Sequence, residues 1–406
     1  MKTIIEKQRE TQVSLQCDVL VAGGGVAGIA AALSAARAGA DVLLVEKQCM
    51  LGGLATLGLI TYYLPLCDGE GHQVSFGISE ELLRLSIKHG AETQYPKPWL
   101  ENGTFEERKK TRFTVRFNPH LFAVEAERLL RKEGVRILYD TLLCDTIVDN
   151  GKITHVVMEN KSFRSAIAVK SVVDCTGDAD LCLLSGTKTA EFAQKNILAS
   201  WYYYVDKNPG YELRNLGYAD IPDEQKAEGG KGAEMIVQRR FTGLDAMDTS
   251  EMICISHDTM LADVIKKRET DPTHTPVLLP TIPQVRMTRR IDGVRTLSNK
   301  EVHTHIDDSI GMIGDWRRRG PVHEIPFTAL YGNEIQNLIT AGRNISVNDA
   351  LWDISRVIPA CAVTGEAAGL AAAMTDNFAK LDVSVLQKRL VENGVVLHES
   401  DLDNKQ

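Results

Sequence analysis

Three stretches of the 406-residue chain predict an α/β fold assembled from separated pieces. Near the start, an apolar run enters a glycine-rich turn and a small-residue helix; short β-rich runs follow between 135 and 173; a second small-residue helical stretch runs from Arg356 to Met374. A strand, tight turn, helix and returning strand in that order build a Rossmann-like dinucleotide-binding unit with a parallel sheet. The middle runs add an antiparallel meander, and the polar stretches between them predict an inserted α+β domain.

The first unit carries the most information. Cys17–Ala22 reads as a strand, and Gly23-Gly24-Gly25-Val26-Ala27-Gly28 as the turn into a helix over Ile29–Ala38. Gly23, Gly25 and Gly28 fill Gly-x-Gly-x-x-Gly: a sharp turn, a side-chain-free approach to a pyrophosphate, and close helix-to-strand packing. Val26 and Ala27 then open the helix, whose free N–H groups favour an anion. Asp41–Val45 returns as a strand and ends in Glu46, an acid about 20 residues beyond the glycines, where a ribose hydroxyl needs a partner.

Farther along, β-rich runs break at Asn150-Gly151, a hairpin signal. Gly229-Gly230-Lys231-Gly232 sits in a polar stretch with no strand before it, so it reads as a loop rather than a phosphate cradle. The balance of 46 basic against 54 acidic residues, net −8, argues against a nucleic-acid surface. The N-terminal stretch is charged and lacks the apolar core of an export signal, and Val357–Met374 is interrupted by Thr364, Gly365, Glu366 and Gly369. A cytoplasmic protein with no membrane span is therefore expected. The eight cysteines show no Cys-x-x-Cys pair, which leaves disulfide frameworks, thiolate zinc sites and iron–sulfur clusters without support.

A second glycine pair follows the acid, in Glu46-Lys47-Gln48-Cys49-Met50-Leu51-Gly52-Gly53-Leu54-Ala55-Thr56. Two later segments, Asp174-Cys175-Thr176-Gly177-Asp178 and Thr340-Ala341-Gly342-Arg343, accompany it. Together these motifs resemble the FAD-dependent oxidoreductases of the fumarate-reductase and glutathione-reductase flavoprotein superfamily, above all those related to the flavin module of heterodisulfide reductase. The resemblance implies FAD as cofactor. It implies that Lys47, Gly52, Gly53, Leu54, Ala55 and Thr56 follow the ribitol and pyrophosphate, and that the Leu143 backbone meets the adenine. Thr176 and Gly177 would end a central strand beside the cofactor. Gly342 would lie near the flavin, with Arg343 standing where many relatives carry an acid. Thr364 and Gly365 would belong to the last helix, whose N-terminus faces the isoalloxazine.

On this reading the FAD-binding domain is discontinuous, over 15–75, 115–185 and 335–380. A substrate domain is inserted over 76–114 and 186–334, and a C-terminal helix and fraying tail occupy 381–406. Substrate chemistry is sought in the insertion. Arg286, Arg289 and Arg290 are suited to hold a carboxylate through paired hydrogen bonds. His303 and His305, in His303-Thr304-His305-Ile306-Asp307, are acid–base candidates, and the motif is too splayed to close a metal site alone. His323 and Glu324 are secondary candidates. The expected function is hydride transfer between a small organic, and by the arginines anionic, substrate and FAD. The alternative is an FAD-containing electron-transfer subunit with a redox protein partner; self-association is compatible with either.

Overall fold

The computed structural model describes residues 3–5, 7–217 and 235–404. The Gly229–Gly232 stretch lies outside them. The first strand, Val13–Ala22, is buried without interruption from Val19 onward, as a parallel strand covered on both faces requires. Val42–Val45, also wholly buried, lies parallel to it on one side, with Val19 opposite Val42 and Ala22 opposite Val45. Arg136–Leu138 adds a further parallel strand at that edge.

On the other side runs the long strand Phe163–Asp174, parallel to the first from Ala166 to Asp174. Its far edge has two successive partners. The early half pairs antiparallel with Lys152–Asn160, which pairs in turn with Leu142–Asp149. The last three residues, Val172–Asp174, pair parallel with Leu338–Thr340. One strand thus serves both the parallel sheet and the meander, giving the Rossmann-like α/β architecture. The turn between the two meander strands holds Asn150 and Gly151 at φ of 49° and 74°, the left-handed pair that a two-residue hairpin of this chemistry adopts.

The first helix, Val26–Arg37, packs against Ile358–Met374 through small residues. A Cβ on Gly365 would meet the Ala27 carbonyl oxygen at 2.3 Å, and one on Gly369 the Ala31 oxygen at 2.1 Å, so the two backbones are nearly in contact. Ile358–Met374 also supports the helix Ile78–Ser86, because the buried Glu366 carboxylate accepts the Ile78 N–H at 2.8 Å.

Beyond Glu191 the chain forms an antiparallel sheet of Ser200–Val205, Glu212–Leu216 and Thr275–Leu278, with the helix Ala246–Arg268. A separate hairpin joins Ser309–Gly314 to Val322–Pro326. The C-terminal helix is Val383–Glu392, and the described residues beyond it pack back on the fold instead of fraying as expected. Val396 and Leu402 are buried with Val74, Met312 and Val322, because those side chains leave an apolar surface on the hairpin. Among the described residues no single helix is long and apolar enough to cross a membrane. Asp349–Ser355 and Ile358–Met374 would qualify only as a pair, and they are bent by 89°.

Candidate functional site

The three glycines of the first turn do three different things. Gly23 has φ of 98°, and a Cβ there would lie 2.6 Å from the Cys175 carbonyl oxygen. Gly28 faces the turn itself, where a Cβ would come within 1.9 Å of the Gly23 oxygen. Among the described residues Gly25 has no heavy atom within 4 Å of its Cβ position, so that side of the backbone faces open space. It also caps the first helix without any side-chain hydrogen bond, which leaves the helix N–H groups free for a ligand.

The second glycine pair is laid along the first. Gly52 donates its N–H to the Gly24 carbonyl at 2.8 Å and forms a parallel bridge with Gly25. Gly52 and Gly53 have φ of 101° and 53°, conformations that a side chain would strain. Thr56 is buried behind this loop, where its hydroxyl donates to the Leu51 carbonyl at 2.6 Å. Glu46 ends the second strand with one carboxylate oxygen on the Gly24 N–H at 2.7 Å and the other on the Gln48 N–H at 2.8 Å. Burial raises its pKa, opposed by those two hydrogen bonds.

The end of the long strand is organised by Asp174, which is fully buried. Its carboxylate accepts the Thr176 N–H and hydroxyl and the N–H groups of Leu181 and Cys182, and so shapes the Thr176-Gly177-Asp178 turn. Arg343 bridges across that turn, donating to Asp178 at 3.1 Å and to the carbonyls of Val285 and Arg286 at 3.0 and 3.2 Å. It fastens the 285–286 segment to the sheet instead of presenting an acid. Thr364 accepts the Gly342 N–H at 2.9 Å, and Gly365 packs on the first helix.

These elements enclose a cleft of about 550 Å³, within the roughly 300–1,000 Å³ of cofactor pockets. Of the residues singled out from sequence, Gly23, Gly25, Val26, Ala27, Glu46, Lys47, Gly52, Gly53, Leu54, Ala55, Leu143, Thr176, Gly177, Gly342 and Arg343 line it. Gly28, Thr56, Thr364 and Gly365 stand behind it, shaping the residues that do. An unfilled backbone cradle at Gly25, an uncapped helix N-terminus and a buried acid form a donor set that fits a dinucleotide.

The catalytic candidates fare differently. Arg289 pairs with Asp180 at 2.8 Å, and Arg290 lies over the Trp352 ring, so neither lines the cleft. His303 and His305 are outside it too, because the segment that carries them packs toward the chain's C-terminal end: His303 pairs with Glu399 and His305 stacks on His398. His323 is buried on the Val322–Pro326 strand, and burial pushes its pKa down to about 4. Glu324 accepts the Ile306 N–H on the same hairpin.

Arg286 is buried directly behind the cleft-lining Val285, with its guanidinium 5.2 Å from the Trp201 ring centre. Among the described residues the one hydrogen-bond acceptor of that guanidinium is the Gln284 carbonyl, 3.4 Å from Nη1. Burial and the neighbouring Arg356 and Arg343 push its pKa down to about 9, against a pull from Asp353. Arg356, which lines the cleft, was not singled out from sequence; it pairs with Asp353 and leaves a buried Nε with no partner among the described residues. Asp353 is shared further with Arg317 at 3.7 Å, and Arg317 is itself held closer by Asp315 at 3.1 Å. Asp178 and Asp180 also line the cleft and were legible only as part of the Thr-Gly-Asp motif; burial and the Asp178 and Asp174 charges raise Asp180 to about 6.

Comparison with known proteins agrees with this geometry. The chain is 34% identical over 70 residues to a thioredoxin reductase of Ureaplasma parvum, a stretch that is 17% of this chain and 23% of that protein. It is 42% identical over 89 residues to a 4-oxocyclohex-2-ene-1-carboxylate 5-dehydrogenase of Sinomonas cyclohexanicum, covering 22% of this chain and 14% of the relative. It is 30% identical over 159 residues to a probable electron transfer flavoprotein-quinone oxidoreductase, YgcN, of Escherichia coli, covering 38% and 35%. The matches thus span about a third or less of each relative's length. The family model described as FAD dependent oxidoreductase matches residues 18–228 and 206–390. With nearly its whole length accounted for, the chain belongs to the FAD dependent oxidoreductase family, and FAD is its cofactor.

Proposed function

We propose that the chain exchanges a hydride between FAD and a small organic anion, with the cleft from Gly23 to Arg356 as the reaction site. FAD supplies the redox chemistry when bound; the chain supplies binding, orientation and charge. The uncapped helix N-terminus at Gly25–Ala27 would hold the pyrophosphate and Glu46 a ribose hydroxyl, with Leu143 beside the adenine and Gly52–Ala55 and Gly342 along the remainder.

The observation that carries the substrate reading is the convergence of Arg286, Arg343 and Arg356, of which Arg286 is buried with no carboxylate partner among the described residues. A buried guanidinium is costly unless an anion completes its hydrogen bonds. A substrate carboxylate entering past Val285 and Arg356 would do so, and the fork of donors would fix its orientation. The likeness to a dehydrogenase of a ring carboxylate supports the same substrate class. Anaerobic mixing with a panel of small carboxylates and their amide analogues tests this: carboxylates should bleach the flavin band and the analogues should not. Bleaching by a reduced redox protein alone would favour the electron-transfer reading, to which the likeness to a quinone oxidoreductase lends support.

A further inference from the structure

The His303–Asp307 segment, which has no place in the cleft, meets two groups distant in sequence. His305, Glu324 and His398 each offer a ligand atom, and these atoms all lie within 4.8 Å of one another. Glu324 is buried, at 4% exposure, on the Val322–Pro326 strand. One of its oxygens accepts the Ile306 N–H at 2.8 Å and lies 2.9 Å from His398 Nδ1. The other accepts the Glu399 N–H at 3.1 Å. The carboxylate is therefore gripped by the backbone residue following each histidine, and the three groups are locked in one frame.

The two imidazole rings lie 4.3 Å apart, 32° from parallel. Asp307 stands beside this set, 3.4 Å from His305 Nε2, and His303 pairs with Glu399 at 2.8 Å on the next rung. None of these residues lines the cleft.

We propose that His305, Glu324 and His398 form a binding site for a divalent transition ion, zinc by preference, that fastens the C-terminal segment to the Ser309–Pro326 hairpin. Two imidazoles with one carboxylate are a donor set that zinc accepts, with a fourth position left for water or Asp307. Backbone N–H groups that orient the carboxylate supply the outer-shell support that such sites need. The ligands come from positions 305, 324 and 398, so binding closes long loops and couples directly to stability. It would also reinforce the packing of Val396 and Leu402 beneath it.

The test uses the full-length FAD-loaded protein, stripped with a chelator, reloaded with zinc chloride and desalted. Elemental analysis should find one zinc per chain, and the chelator should lower the thermal midpoint. His305→Ala alters an exposed side chain, so flavin content and circular dichroism should stay as in the parent. Its zinc affinity should fall by more than the roughly 10–100-fold that loss of a mere orienting group costs. No zinc uptake by the parent would overturn the proposal. So would uptake that survives His305→Ala, as expected of adventitious binding at the exposed Cys49 and Cys254.

Discussion

The Glu46 carboxylate and the Gly24 N–H are joined by a 2.7 Å hydrogen bond that ties the end of the second strand to the glycine turn. The other carboxylate oxygen is held by the Gln48 N–H, so the acid is fixed before any ligand arrives. Glu46→Gln turns an amide NH2 toward one of these donors. Losing a charge-assisted bond costs about 1.5–3 kcal/mol. FAD should bind about 10–100-fold more weakly, read by flavin fluorescence during titration; unchanged affinity would remove Glu46 from the site.

Gly25 and Gly28 should separate binding from folding. Gly25→Ala places a methyl in open space, so the FAD-free chain should keep the parent's thermal midpoint while FAD binding is lost. Gly28→Ala drives a methyl to 1.9 Å from the Gly23 oxygen. Overpacking of that kind typically costs about 1–3 kcal/mol, which denaturant unfolding would register. Equal destabilisation by the two changes would contradict the assigned roles.

Arg286→Lys keeps a cation beside Trp201 but loses the planar fork. A carboxylate substrate should show a KM raised about tenfold or more, while FAD affinity and turnover of an uncharged analogue stay near the parent values. An equal loss with charged and uncharged substrates would mean that Arg286 serves only to hold the fold.

Glu366 predicts a pH signature. Burial raises its carboxyl from 4.5 to about 7, so the folded chain binds the proton more tightly than the unfolded one. The associated stability is fully present below pH 4.5 and is lost as pH rises through about 7. Glu366→Gln retains an acceptor for the Ile78 N–H and should flatten this part of the stability profile. Denaturant midpoints between pH 5 and 8 would show it; parallel profiles for parent and variant would refute it.

Thiol reactivity follows burial. Cys49 and Cys254 are exposed, whereas burial raises the thiol pKa of Cys175, Cys182 and Cys361, holding them as inert thiols. Brief treatment of the native protein with a thiol reagent, followed by peptide mass analysis, should label Cys49 and Cys254 first. Rapid labelling of the cleft-lining Cys361 would reopen the thiol chemistry that the cysteine spacing disfavours.

Sequence by itself determined the backbone of the cofactor site. Gly23, Gly25, Gly28, Gly52 and Asn150-Gly151 act through local conformation or closeness to a neighbouring turn, and such demands are written in short spans of residues. The same is true of the Glu46 position, set by the length of one βαβ turn. Only the tertiary structure decided which arginines gather at the cleft, since Arg289 and Arg290 are absorbed by Asp180 and Trp352 while the overlooked Arg356 lines it and Arg286, 70 residues away in sequence, is buried beside it. It alone moved His305 away from the flavin end and brought His398 and Glu324 to it. Side-chain encounters of this kind depend on how distant segments dock, and nothing local to His303–Asp307 encodes the arrival of residue 398.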